Sequence, residues 1–517
     1  MSSKKLLIGE KMNDLKNSIK LHPFLFAIFP IVFFFSLNSQ EIQFLDALIL
    51  ITIFSVLTLG ITLFFSYFVK NKESVGIVIS IGFILFFTYG HVFNLITNTM
   101  EIGQSILLGI FITIFVVSIF ILTKTKKKLN NISKIANVIG ITLIIISASN
   151  LLLDNFQGNY SLDLVQISPK QSDIIDVQNT IYPDVYYIVL DAYSGQEMLM
   201  DELGFDNKEF LTFLDTNNFH VIKNSQSNYA QTYFSLPSVL NMKHLECDES
   251  FDGCINRGTT FEMIQNNDVM DRFKKEGYVI INTYSGWKPT SDFELANQNL
   301  CSKYYTNFIN TELTTAIFSN SILNPAYVFL FEDDKREQIQ CIFSQIKKVS
   351  VSYEQPIFVF SHIHVPHYPY VFDENGEPTS PERLEMGWEG EEDDKEGYLG
   401  QLKFANKMMN EVITEIKRDS KISPIIIIQG DHGYKAKIDD ASNPTDQELR
   451  VRFSNLNAYH IPGKDFSGFE DTTPVNTFRI IFNELFNDNL KMEENSSYWF
   501  HEKSPAYFDD ITSILKK

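Results

Sequence analysis

Carboxylates and imidazoles follow three short apolar runs. Asp191 comes straight after YYIVL at 186–190. Asp431 and His432 come two residues after four consecutive isoleucines at 425–428. His362, His364 and His367 follow PIFVFS at 356–361. Asp and His together suit a divalent transition metal such as zinc or manganese, with magnesium and calcium as harder alternatives. One acid after one apolar run is common. Three run-ends carrying these residue types point to a shared metal site.

The elements that must bring them together are legible as alternation. Runs apolar at every position, at 185–190, 278–283, 356–361 and 425–428, read as strands buried on both faces. Helix-like segments at 207–216, 259–276, 335–349, 397–418 and 475–487 lie between and after them. That order predicts a mainly parallel α/β sheet. In such sheets ligand groups gather beyond the carboxyl ends of the strands, and the three acid- and histidine-bearing ends would meet at one rim. No internal repeat is present. The acidic stretch 385–396 reads as a solvated loop.

The chain has 517 residues, and its net charge of −20 is unevenly distributed. Residues 1–150 hold 12 Lys, no Arg and 6 acids, for +6; the remainder carries 31 basic against 57 acidic residues, for −26. So acidic a second part argues against nucleic acid as a partner. An anionic substrate there needs a cation to supply local positive charge.

Five apolar runs, at about 21–38, 47–69, 75–97, 103–123 and 136–153, predict a five-helix transmembrane domain over 1–154. The first is short and contains Pro30. Lysines cluster before the first run (Lys4 to Lys20), between the second and third (Lys70, Lys72), and between the fourth and fifth (Lys124 to Lys134). The other two loops have none. The positive-inside rule then puts the N-terminus in the cytoplasm and everything after about 155 on the far side. His91, inside the third run, reads as a functional group or as a neutral histidine bonded to a neighbouring helix. A linker is expected over 155–182 and a catalytic domain over 183–517. All four cysteines, Cys247, Cys254, Cys301 and Cys341, fall in this outer part. Cys247 and Cys254 could close a small disulfide loop, the alternative being free thiols.

Four segments carry a resemblance: YYIVLDAYS at 186–194, SNYAQTYFSLPSVLN at 227–241, HIHVPHYPYVFD at 362–373 and IIIIQGDHGY at 425–434. In order and spacing they resemble the alkaline phosphatase and sulfatase superfamily, and within it the membrane-anchored lipoteichoic acid synthases and phosphoethanolamine transferases. The resemblance covers about 183–490. It implies an alkaline phosphatase/sulfatase-like α/β fold. It implies Asp191, Asp431 and His432 as metal ligands, and Thr232 as a nucleophile that also binds the metal. It implies His367 near substrate or leaving group, and His364 as a substrate contact or second-metal ligand. Read without it, Thr232 is better taken as an ordinary N-cap threonine.

The chemistry is coherent. Metal coordination makes a threonine alkoxide accessible, and a histidine tunable near neutrality can protonate the departing alcohol. A helix starting at Thr232 would add backbone amides for phosphate. Sulfatases instead use Cys or Ser in a (Cys/Ser)-x-Pro-x-Arg signature. Here Ser235-Leu236-Pro237-Ser238 matches until Val239 replaces the arginine. The Tyr284-Ser285-Gly286-Trp287-Lys288 stretch lacks the histidine and arginine expected of a lipoteichoic acid synthase. Trp287 either stacks on a sugar or covers the sheet edge; Lys435 either contacts an anion or is solvated. His220 reads as structural, and His460 as a possible ligand of a second metal. The expected function is a plasma-membrane (inner-membrane) transferase. It moves a phospho-headgroup from a phospholipid donor to an envelope glycan or glycolipid. The alternatives are an extracytoplasmic sulfatase or phosphodiesterase, and a non-catalytic assembly protein.

Overall fold

The structure is a computed structural model. It describes residues 20–39, 42, 44–69, 71–97, 104–125, 128–157, 182–245, 257–302, 312–379, 394–434, 438, 440–501 and 507–516. The chain forms two compact units. One comprises Met1–Ser172 with Asn307–Leu330, the other Asp173–Thr306 with Phe331–Lys517.

The first unit contains α1 (His22–Leu37), α2 (Phe44–Phe68), α3 (Lys72–Thr97), α4 (Gln104–Lys124) and α5 (Asn130–Gln157). Four of them, α2 to α5, are long and apolar enough to cross a bilayer. At about 1.5 Å per residue, the 16 residues of α1 span roughly 24 Å, short of a hydrocarbon core about 30 Å thick. Their apolar character is two-sided. Ala27, Ile31, Leu50, Phe54, Val75, Phe83 and Phe87 meet in a common core, while Val56, Phe64, Ile114, Phe120 and Ile145 face outward. Such outward faces suit lipid, where helices need no water-exposed polar face. Some polar groups between these helices pair with one another. His22 Nδ1 lies 2.7 Å from Ser80 Oγ and its Nε2 3.2 Å from Ser133 Oγ, and Lys20 pairs with Glu73 at 2.8 Å. His91 is exposed on α3.

The second unit is built on a seven-stranded sheet of order β2-β7-β6-β1-β5-β3-β4. Its strands are β1 (Val185–Leu190), β2 (His220–Val221), β3 (Val279–Thr283), β4 (Gln298–Leu300), β5 (Ile357–Ile363), β6 (Ile425–Gly430) and β7 (Asn457–His460). β1 pairs in parallel with β5 on one side and β6 on the other. β3 and β4 continue in parallel, and β7 and β2 are antiparallel. β1, β5 and β6 are buried at every position, which is why they read as continuous apolar runs. Helices α6 (Thr232–Leu240), α7 (Glu312–Ser319), α8 (Asn324–Ile346), α9 (Lys395–Asp419) and α10 (Thr477–Phe486) are interspersed with or follow the strands, α7 belonging to the first unit. Leu236 and Val239 of α6 and Phe478, Ile481 and Phe482 of α10 bury against Tyr187, Phe358 and Ile427 of the sheet. Each such side chain contributes about 1.5–3 kcal/mol.

Several local readings differ from expectation. The helix expected over 259–276 is two helices, Arg257–Gln265 and Asp268–Lys275. Asn267 breaks it by accepting from the Met270 amide at 2.8 Å while donating to Ile264 O at 2.8 Å. Such local side-chain bonds compete with helix continuation. The terminal hairpin of β8 (Tyr498–His501) and β9 (Tyr507–Asp510) was not anticipated. Cys301 and Cys341 form a disulfide 40 residues apart. Cys247, Cys254, Lys435 and nearly all of the expected linker and acidic loop lie outside the described residues.

Candidate metal centre

Register builds the site. Leu190 is level with Ile363 of β5 and with Gly430 of β6. One residue further on, Asp191, His364 and Asp431 therefore emerge side by side. They do so beyond the carboxyl ends of three adjacent central strands, where open α/β sheets bind ligands.

Turn chemistry then fixes each side chain. Ala192 adopts a left-handed backbone (φ 60°), costly for a residue with a Cβ. Its amide donates to Asp431 Oδ1 at 2.9 Å, and its carbonyl accepts from Tyr398 Oη at 2.9 Å. The glycines around Asp431-His432 serve close approach. A Cβ on Gly430 would stand 2.2 Å from Tyr193 O, and one on Gly433 2.2 Å from Val451 O. His432 Nδ1 lies 2.8 Å from Gly433 O. A carbonyl only accepts, so Nδ1 carries the proton and Nε2 presents its lone pair. That Nε2 is 3.7 Å from Asp191 Oδ1, 3.5 Å from Asp431 Oδ2 and 3.4 Å from Thr232 Oγ1.

Thr232 is the first residue of α6, whose N-terminus has no side-chain cap. The hydroxyl thus stands at a helix end suited to anions. Three residues on, Ser235 is buried, and its hydroxyl donates to Asp431 O at 2.6 Å. It braces the turn that carries Asp431 and His432.

The residues fit a cation. Asp191 Oδ1 and Asp431 Oδ2 are buried without a hydrogen-bond partner. Leaving buried carboxylate oxygens bare is expensive, and a shared cation satisfies both. One ligand atom each from Asp191, Asp431 and His432 lie within 4.8 Å of one another. Thr232 Oγ1 borders the same space through His432. Asp191, His362 and His364 form a second such group. His362 Nε2 is 3.4 Å and His364 Nε2 4.0 Å from Asp191 Oδ2. His362 is fully buried; Thr290 Oγ1 lies 2.9 Å from its Nδ1, and its Nε2 has no hydrogen-bond partner.

Electrostatics follow from this crowding. Burial alone would raise the Asp191 carboxyl, but His367, then His362 and His364, hold it well below the usual carboxylate range. Burial, then His362, push the His364 imidazole well below its ordinary value, and the Lys335 charge adds to that.

The structure thus brings Asp191, Thr232, Asp431 and His432 together, with His364 and His367 beside them. The His367 amide donates to Asp191 O at 3.1 Å, and Gln401 Nε2 donates to His367 O at 2.7 Å. Trp287 is half-buried against the core, its ring 5.8 Å from that of His362. His460 is not part of the site. Because β7 runs antiparallel to β6, His460 is level with Ile426, at the opposite end of β6 from Asp431. Its Nδ1 lies 2.8 Å from Pro424 O. His220 stacks on Phe466 at 4.5 Å. Gln401 and Lys335, which sequence reasoning missed, sit on helices without a local motif; only the fold directs them here.

No protein-family model matches the chain, and no curated protein matches it. Solved structures do. The C-terminal periplasmic domain of EcEptC from Escherichia coli, in complex with Zn, is 11% identical, with 64% of this chain and 93% of that chain covered and a TM-score of 0.39. A 2-O GAG sulfatase is 10% identical over 64% of this chain and 83% of its own, at a TM-score of 0.37. The chain is similar as well to the soluble domain of lipooligosaccharide phosphoethanolamine transferase A from Neisseria meningitidis, at 10% identity, 60% and 89% coverage and a TM-score of 0.39.

Proposed function

We propose that this chain is a metal-dependent transferase of the membrane-anchored branch of the alkaline phosphatase and sulfatase superfamily. It takes a phospho-headgroup, phosphoethanolamine- or phosphoglycerol-like, from a membrane phospholipid and passes it to an envelope glycan or glycolipid. A five-helix anchor (1–154) and linker (155–182) hold the catalytic domain (183–517) outside the plasma membrane, with the N-terminus cytoplasmic. The observation that carries the reading is the convergence of Asp191, Thr232, Asp431 and His432 around two unpartnered carboxylate oxygens.

A bound divalent cation would lower the pKa of the Thr232 hydroxyl and offset charge on the phosphoryl oxygens. Asp191, Asp431 and His432 Nε2 are the residues to hold it. Thr232 gives its hydroxyl proton to solvent water as Oγ1 attacks phosphorus, the bond from phosphorus to the diacylglycerol oxygen breaks, and protonated His367 delivers a proton to that oxygen. Gln401 anchors the loop that carries His367. The acceptor hydroxyl then passes its proton to the neutral His367 as its oxygen attacks the phospho-threonine, and the Thr232 oxygen leaves and takes up a proton from solvent water. First-turn amides of α6 can receive the phosphoryl group.

A phosphodiesterase or sulfatase, in which water resolves the intermediate, is the second reading. The Ser235 hydrogen bond to Asp431 O weighs against a sulfatase nucleophile there, as does Val239. The test is mass spectrometry of the full-length protein after incubation with phospholipid, together with Thr232→Ala. A phosphate-bearing adduct on Thr232 is expected, with turnover reduced by roughly 10³-fold or more in the variant and the metal content retained. Full activity of Thr232→Ala would sink the assignment. Formylglycine at Ser235 would promote the sulfatase.

A further inference from the structure

Residues 307–330 lie in sequence between β4 and β5 of the sheet unit, yet they belong to the unit of the apolar helices. Within it, Leu313 and Ile317 of α7 are buried among Ile31, Phe54 and Phe87 of α1 to α3. The chain then turns at 320–323 and docks backbone to backbone on α3. The Gly90 amide donates to Asn320 O at 3.0 Å, and the Ile322 amide donates to Phe86 O at 3.1 Å. Gly90 permits the approach, since a Cβ there would stand 2.7 Å from Asn320 Cα and 2.8 Å from Asn320 O. The turn also satisfies itself. Asn320 Nδ2 donates to Ala316 O, Ser321 Oγ to Phe318 O, and the Leu323 amide to Ser321 Oγ. Irregular backbone at membrane depth requires such satisfaction. Phe86 and Gly90 lie inside the candidate span Lys72–Phe93.

We propose that residues 312–323 are a re-entrant element of the membrane-embedded unit. They form a second anchoring point of the catalytic chain in the bilayer, seated at Gly90. Its consequence for catalysis rests on the transferase reading above: seating supports turnover of a donor embedded in lipid, and is indifferent to a donor free in water.

The full chain in phosphatidylethanolamine/phosphatidylglycerol nanodiscs provides the test. Hydrogen exchange over 313–323 should be slow, and should accelerate about 10-fold or more in both Gly90→Val and Ile322→Pro. Ile322→Pro removes only one donor, guarding against a bundle that fails to assemble. Gly109→Val, a site with open space around it, should leave exchange unchanged. Fast exchange of 313–323 in the native chain, or no response to either variant, overturns the proposal. In parallel, both variants should lower phosphatidylethanolamine turnover about 10-fold while hydrolysis of water-soluble bis(p-nitrophenyl) phosphate is retained. An equal loss on both substrates, or undiminished lipid turnover, refutes the catalytic consequence. A native chain inactive on either substrate refutes the transferase reading, while exchange still judges the re-entrant seat.

Discussion

Replacing Asp431 with Asn should stabilise the protein when metal is absent and lose most of that advantage when metal is bound. The substitution is nearly isosteric, and the Asn carbonyl can still accept from the Ala192 amide, as Asp431 Oδ1 does at 2.9 Å. Without metal, the native site holds two buried carboxylates whose ligand atoms lie within 4.8 Å of each other. At an effective dielectric of about 20, two unit charges at that separation repel by roughly 3 kcal/mol. Asp431→Asn removes this repulsion and places an amide donor where Asp431 Oδ2 has no partner. With metal at about 100 times its dissociation constant, the native protein gains about 2.7 kcal/mol. A variant binding at least about 100-fold more weakly keeps only a few tenths of that. The assay is thermal unfolding of full-length protein in detergent, in EDTA and after adding zinc or manganese. Asp431→Asn should unfold above the native temperature in EDTA, and adding metal should remove most of that advantage. A variant destabilised equally under both conditions would refute the claim that this carboxylate holds a cation.

Two further predictions concern the frame around the site. Asn267→Ala should cost about 1 kcal/mol, the usual worth of a helix cap, read as a lower denaturant midpoint with metal content unchanged. His460 is held below its ordinary pKa mainly by burial, against the opposing pull of the Pro424 carbonyl. Its unfolded form therefore binds more protons below about pH 6.5, and stability should fall as pH drops through that value. His460→Asn, which keeps a donor towards Pro424, should flatten the change in melting temperature between about pH 7.5 and pH 5.5. An undiminished slope would assign that dependence elsewhere.

The apolar runs and the chemistry at their ends were readable because burial on both faces leaves no polar interruption within a central parallel strand. β1 and β6 therefore begin where their runs begin, and Asp191 and Asp431 follow them directly. Thr232 was readable only through resemblance, since a threonine opening a helix is ordinary. The break at Asn266–Asn267 was hidden because the apolar pattern resumes in helical spacing on both sides, and one amide side chain decides it.

The sequence by itself determined the elements and the residue types: apolar helices, buried strands, and acids and imidazoles at strand ends. Those depend on local composition and period. Tertiary structure alone decided which of them meet. Parallel register set Asp191 beside Asp431 and His364, while the antiparallel direction of β7 carried His460 to the opposite end. Long-range packing assigned 307–330 to the unit of apolar helices, because a helix with an apolar face is placed by what it buries against, and its own period does not name that partner.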